Sequence, residues 1–311
     1  MADPEERRRA EEFLRQDLFR RNAFLLIDKM LELLTQASPD VTALVDEILH
    51  TIFFLGRIHR PRVTPESIVG NILNDLMDVF PRPFVLYSSE LPRRSPFSCV
   101  LDMIVHVTGR ENETQIIRAV RELISDPELS QSQDLVSSII CVSHRTDVKD
   151  PVKYYGVSMS AAGPMSRKIM IAASCLGSWD EYVAGAVMTY FPTKKKNQNF
   201  DGTFQLPESV RCQAFDLRED TDKPPCKSCQ NLFGLTSREL TEWVYGNCAE
   251  VESLSNLFKE EADVKERARP RSTKYSDEGR VKVERLVKTD VTNWLRLHEF
   301  IWHNTTFYTP Q

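Results

Sequence analysis

The chain contains no apolar run approaching the length a bilayer-crossing helix needs, so it is not read as a membrane protein. A secretory leader is not expected either, because the opening MADPEERRRAEEF is charged and has no apolar core segment. Positive charge is not in excess. Forty Lys and Arg stand against 45 Asp and Glu, a formal charge of -5, so no global field draws the chain to nucleic acid and any such contact needs a local patch. The seven cysteines cannot all pair with one another. Together with the absent leader this points to a reducing compartment, the cytoplasm with the nucleus left open. What remains is a soluble, globular composition: 311 residues, 41% hydrophobic, enough for a large core in one large or two modest domains.

Residues 1–133 read as a helical N-terminal region. Phe13, Leu14, Leu18 and Phe19, then Phe24 through Leu34, recur at intervals of three and four and place an apolar stripe on one or two helices. Ser38-Pro39-Asp40 marks a stop and restart. Val41, Leu44, Val45, Ile48, Leu49, Ile52 and Phe53 form the next stripe. Thr64-Pro65-Glu66 has the cap followed by proline expected at the start of a helix over Ile68 to Leu76, which Pro81 and Pro83 end. Two further helices are expected around Leu101 to Val105 and Ile116 to Ile124. His50, His59 and His106 lack metal-like spacing. This region carries no visible chemistry and suits a lid or a surface for a protein partner.

From 134 to 311 the reading is α/β. Five short runs, Leu135 to Val142, Tyr154 to Met159, Ile169 to Ala173, Ala186 to Phe191 and Val210 to Leu217, are rich in β-branched, aromatic and apolar residues and are separated by turn signals. They are expected to form a roughly five-stranded sheet. Helices are expected near Ser178 to Val183, Leu232, Leu254 and Leu295, flanking that sheet. Gly156 and Gly163-Pro164 interrupt the strand region, most simply as a bulge and a turn.

The chemistry concentrates in residues 224–250, PPCKSCQNLFGLTSRELTEWVYGNCAE. Cys226 and Cys229 form a Cys-x-x-Cys that, at a helix start, aims both sulfurs at one ion, and Pro224 and Pro225 suit the entry to that helix. Cys248, at the start of a second helix, makes a third ligand, and zinc is the metal such ligands favour. Three protein ligands leave a fourth position for water, and Glu250 falls beside it.

Pro225-Cys226-Lys227-Ser228-Cys229 together with Cys248-Ala249-Glu250 resembles the paired motifs of the zinc-dependent cytidine deaminase-like superfamily of nucleobase and nucleoside deaminases, with Cys in place of His and the two motifs in reversed order. The resemblance implies a five-stranded sheet with helices on its faces, Zn2+ held by Cys226, Cys229 and Cys248, and Glu250 as proton carrier in hydrolytic deamination. Cytosine is expected ahead of adenine, in a nucleoside or a single-stranded nucleic acid.

Alternatives stay open on the residues alone. With Cys212 the same thiols make a four-cysteine structural zinc site, Cys212, Cys226, Cys229 and Cys248, in a noncatalytic interaction protein. An incidental group of buried thiols or a redox Cys-x-x-Cys are the others. Trp243, Tyr245 and Phe258 flank the Cys-x-Glu element and are candidates to stack a base, or core residues. Lys194, Lys195 and Lys196 are candidates for a phosphate contact, or a solvated turn. His298 and His303 are reserve metal ligands.

Overall fold

The computed structural model describes residues 4–37, 41–129 and 134–311. Ser38-Pro39-Asp40 and the expected boundary near 133 lie outside the described residues. The first half is helical: α1 Pro4–Leu34, α2 Thr42–Ile58, α3 Pro65–Val69, α4 Leu73–Val79, α5 Pro81–Leu86, α6 Pro96–Thr108 and α7 Glu113–Ile124. The second half holds β1 Ile139–Arg145, β2 Tyr154–Val157, α8 Pro164–Gly177, α9 Glu181–Met188, β3 Val210–Asp216, β4 Thr221–Lys223, α10 Lys227–Phe233, α11 Ala249–Glu260, α12 Ala262–Arg267 and α13 Asp277–Leu297. No helix among the described residues is long and apolar enough to cross a membrane.

In α1 the buried residues include Phe19, Ala23, Leu26, Ile27, Met30 and Leu33, one face of a helix, whereas Phe13 and Leu14 at the start of the expected stripe are exposed. Helix α2 runs through the middle of the bundle against α1, α5 and α6 and is buried on nearly every side. The helix expected from Pro65 to Leu76 begins as predicted, with the Thr64 side chain accepting from the Ser67 N–H at 3.3 Å. A short 3-10 turn at Gly70–Ile72 then divides it into α3 and α4. Pro81 opens α5 rather than only ending its predecessor, since a proline at a first helical turn gives up no hydrogen bond.

The sheet has four strands in the order β2-β1-β3-β4, all antiparallel. Three of the five expected runs are strands. Ile169 to Ala173 lies inside α8, and Ala186 to Phe191 is the end of α9 with the turn after it. The two runs are buried at nearly every position, so they lose the periodicity that separates helix from strand. Pro164 at the first turn of α8, and the Asp180 carboxylate accepting from the Tyr182 N–H at 2.9 Å before α9, are the local features that decide for helix. Strand β4 was not expected; Thr221, Asp222 and Lys223 are exposed and carry no apolar pattern.

Helix α11 lies across β1, β2 and β3. Gly156 makes the close approach possible: a Cβ there would sit 2.3 Å from the Ser253 nitrogen and 2.7 Å from the Ala249 carbonyl oxygen. The glycine read as a bulge is therefore the seat of a helix. The Ser253 hydroxyl donates to the Tyr154 carbonyl at 2.8 Å and accepts from the Ser143 hydroxyl at 2.7 Å, and the Val157 N–H donates to Glu252 at 2.8 Å, so α11 is fixed in register on the sheet. Packing continues into the helical half, where α6 meets β2. The C-terminal residues return to the bundle: Phe307 bridges Leu91, and Tyr308 stacks on His50 with ring centres 3.8 Å apart.

Candidate metal centre

Two helix starts converge on the thiols. Cys226 is the residue immediately before α10, in extended conformation, with Cys229 in the first turn; Cys248 stands in the same position before α11. The loop between them is tied back to α10: Lys227 N–H donates to the Thr241 carbonyl at 2.9 Å, and the Ser228 hydroxyl to the Trp243 carbonyl at 2.8 Å. Gly246, at φ 91°, turns the chain under α8 into Cys248, where a Cβ would come within 2.6 Å of Ile171.

The Cys226 sulfur lies 3.4 Å from that of Cys248 and 3.7 Å from that of Cys229, and all three lie within 4.8 Å of one another. Sulfurs about 2.3 Å from one tetrahedral ion stand about 3.8 Å apart, so the three-cysteine group can hold a metal ion. The hydrogen bonds of Cys229 and Cys248, followed by the backbone N–H groups of Cys229 and Ser228, hold the Cys226 thiol far below its ordinary value. That thiolate character is what a metal ligand requires.

Glu250 is buried, at 5% exposure, in the first turn of α11. Burial raises its carboxyl to about 7, against a lowering contribution from its own backbone N–H. Glu252, two residues on and so about 200° round the same helix, accepts from the Val157 N–H. Beside the thiols opens a cavity of about 610 Å³, walled by Cys226, Cys248, Glu250, Trp243, Asn247 and Arg167 among others. Trp243 is 55% exposed, so its ring is available at the mouth. Lys223, also in the wall, is paired with Asp216 at 3.3 Å.

The other expected site residues are placed elsewhere. Cys212 does not join the three thiols; its sulfur lies 3.6 Å from that of Cys141, which faces α11 from the neighbouring strand. Tyr245 is buried, stacked on Tyr190 at 4.3 Å, with its hydroxyl donating to Glu242 and accepting from Asn231. Phe258 is core, against Phe204. Lys194 donates to the Glu242 carbonyl, Lys196 pairs with Asp201 at 2.8 Å, and Lys195 is exposed; none of the three walls the cavity. His298 and His303 are outside the metal-holding group.

Asn247 and Arg167 are among the cavity residues that were not singled out from the sequence. Asn247 precedes Cys248, and that adjacency was the available signal. Arg167 sits in the first turn of α8, some 60 residues before the cysteine pair, and only tertiary folding brings it to the cavity. Comparisons with protein-family models, with curated proteins and with solved structures returned no match to this chain.

Proposed function

We propose that the chain is a zinc-dependent hydrolytic deaminase acting on a nucleobase, cytosine ahead of adenine. The observation that carries the reading is the buried carboxyl of Glu250 in the wall of a cavity that also contains two of three clustered thiols. Cys226, Cys229 and Cys248 would hold the ion, and the softness of three thiolate donors favours zinc. When bound, zinc supplies Lewis acidity that brings the pKa of a coordinated water toward neutrality.

The protein's own residues handle protons and substrate. A buried carboxyl in the cavity wall beside the thiols is placed to take a proton from water, deliver it to the ring nitrogen, and pass the next to the departing amine. In balance, one water oxygen ends on C4 of cytosine, or C6 of adenine, and the exocyclic amine leaves as ammonia. Trp243 at the mouth offers an aromatic face for the base. In this reading α10 and α11 are the two ligand-bearing helices of a deaminase-like core with their order exchanged, set on a smaller, four-stranded sheet.

Glu250→Gln tests the assignment, since it preserves shape and removes the proton carrier. Ammonia release from cytidine, deoxycytidine or a cytosine-bearing strand is expected to fall by about 10² to 10⁴, the span typical of a positioned acid-base group, with zinc content unchanged. Deamination surviving the substitution removes Glu250 from the mechanism. A parent protein inactive on cytosine and adenine substrates overturns the deaminase reading.

A further inference from the structure

Resting on that reading, we infer that the cavity accepts a single small nucleobase or nucleoside, held edge-on by Arg167 and Asn247, and refuses single-stranded nucleic acid because Glu219, Asp222 and Glu239 guard it. The inference comes from the distribution of unmet polar groups over the wall. Arg167 and Asn247 both wall the cavity that Glu250 enters, and among the described residues neither side chain is held by a hydrogen bond or ion pair to another protein group. Polar side chains of a pocket that are not engaged by the protein are the groups that fix a ligand's orientation. One is a donor and the other belongs to an amide that both accepts and donates. The edge of a nucleobase presents the same alternation of acceptors and amino donors over a few ångströms.

The outer wall carries the opposite message for a strand. Glu219, Asp222 and Glu239 are exposed, line the same cavity, and have no ion-pair partner among the described residues. Among the described residues Arg167 is the wall cation without a carboxylate partner, and the wall lysine is paired with Asp216. A phosphodiester chain needs a basic track along its path, and here it would meet three uncompensated carboxylates. The basic loop Lys194 to Lys196, the other route to strand binding, is away from the wall and partly paired.

The test uses the zinc-loaded full chain and two probes: cytidine, followed by calorimetry, and a fluorescein-labelled 12-nucleotide oligodeoxycytidine, followed by anisotropy at low salt. The parent is expected to bind cytidine and to leave the oligonucleotide free. Glu219→Lys, Asp222→Lys and Glu239→Lys combined, all at exposed positions, should strengthen oligonucleotide binding by at least about tenfold, in a manner that added salt abolishes. Arg167→Gln should weaken cytidine binding by about tenfold or more, with Arg167→Lys recovering part of it, as expected when a buried hydrogen-bonding group loses its partner. Zinc content and circular dichroism establish that each variant is folded. A parent that binds the oligonucleotide more tightly than cytidine, a triple variant with unchanged oligonucleotide binding, or an Arg167→Gln that binds cytidine as the parent does overturns the inference. Cytidine binding without ammonia release overturns the deaminase reading and leaves the binding assignment standing.

Discussion

In the helical half Arg94 donates to both carboxylate oxygens of Glu47 at 2.8 to 3.1 Å and to Asp102, and Tyr308 donates to Asp46 while stacking on His50. In the sheet half Cys226, Cys229 and Cys248 face one another, and beside them Glu250, Arg167 and Asn247 face a cavity. Both halves bury charged or ionisable groups. In the first, the Arg94 and Tyr308 groups end on protein carboxylates, which is how a buried polar network fixes one packing arrangement. In the second, Glu250, Arg167 and Asn247 wall a space of ligand size, which is the pattern of a site. A thiol pair inside the sheet half makes the same point at closer range: Cys141 and Cys212 are 3.6 Å apart, as near as the site thiols, but they sit under Ala249 between two strands and bring no third donor.

The largest effect should separate the two thiol groups. Cys226→Ser is expected to reduce zinc from about one per chain to near none and to lower the thermal midpoint, because zinc binding by clustered thiolates contributes on the order of 10 kcal/mol to the folded state. Metal analysis and thermal unfolding of parent and variant report both quantities; equal zinc in the two proteins would remove Cys226 from the site.

In the helical half the expected effect is a pH dependence. Burial lowers the His50 imidazole from 6.5 to about 3, so the folded protein holds it neutral where the unfolded chain would protonate it. Its stabilising contribution is complete above 6.5 and is lost as pH falls toward 3. By the linkage of 1.36 kcal/mol per unit, about 2 kcal/mol should disappear between pH 6.5 and 4.5. Urea unfolding of His50→Phe alongside the parent isolates this share; parallel pH profiles would contradict it. The smallest effect belongs to Cys212→Ser, which should leave zinc content unchanged and alter stability by no more than about 1 kcal/mol. Loss of metal in that variant would restore the four-cysteine structural reading.

How much of this was legible depends on where the information lies along the chain. Cys226, Cys229 and Cys248 were readable because a helix start brings ligands together over three residues and the second start follows on the next helix of the chain. Helices α2, α6 and α7 were readable from their apolar spacing. Helices α8 and α9 were not, since burial on every side erases the period that marks a helix, and Ile, Val and Ala runs then pass for strands. The cavity wall was legible only near the cysteines. Arg167 gains its place from the packing of α8, and Cys141 meets Cys212 through strand register, neither of which leaves a trace in local spacing.

The central claim is a three-thiolate metal site with one position open to the cavity, and X-ray absorption at the zinc edge of the purified protein tests it most directly. The account predicts three sulfur neighbours at about 2.3 Å and one nitrogen or oxygen neighbour at about 2.0 Å. A shell of four sulfurs, or protein that carries no zinc after growth with the metal, would contradict it.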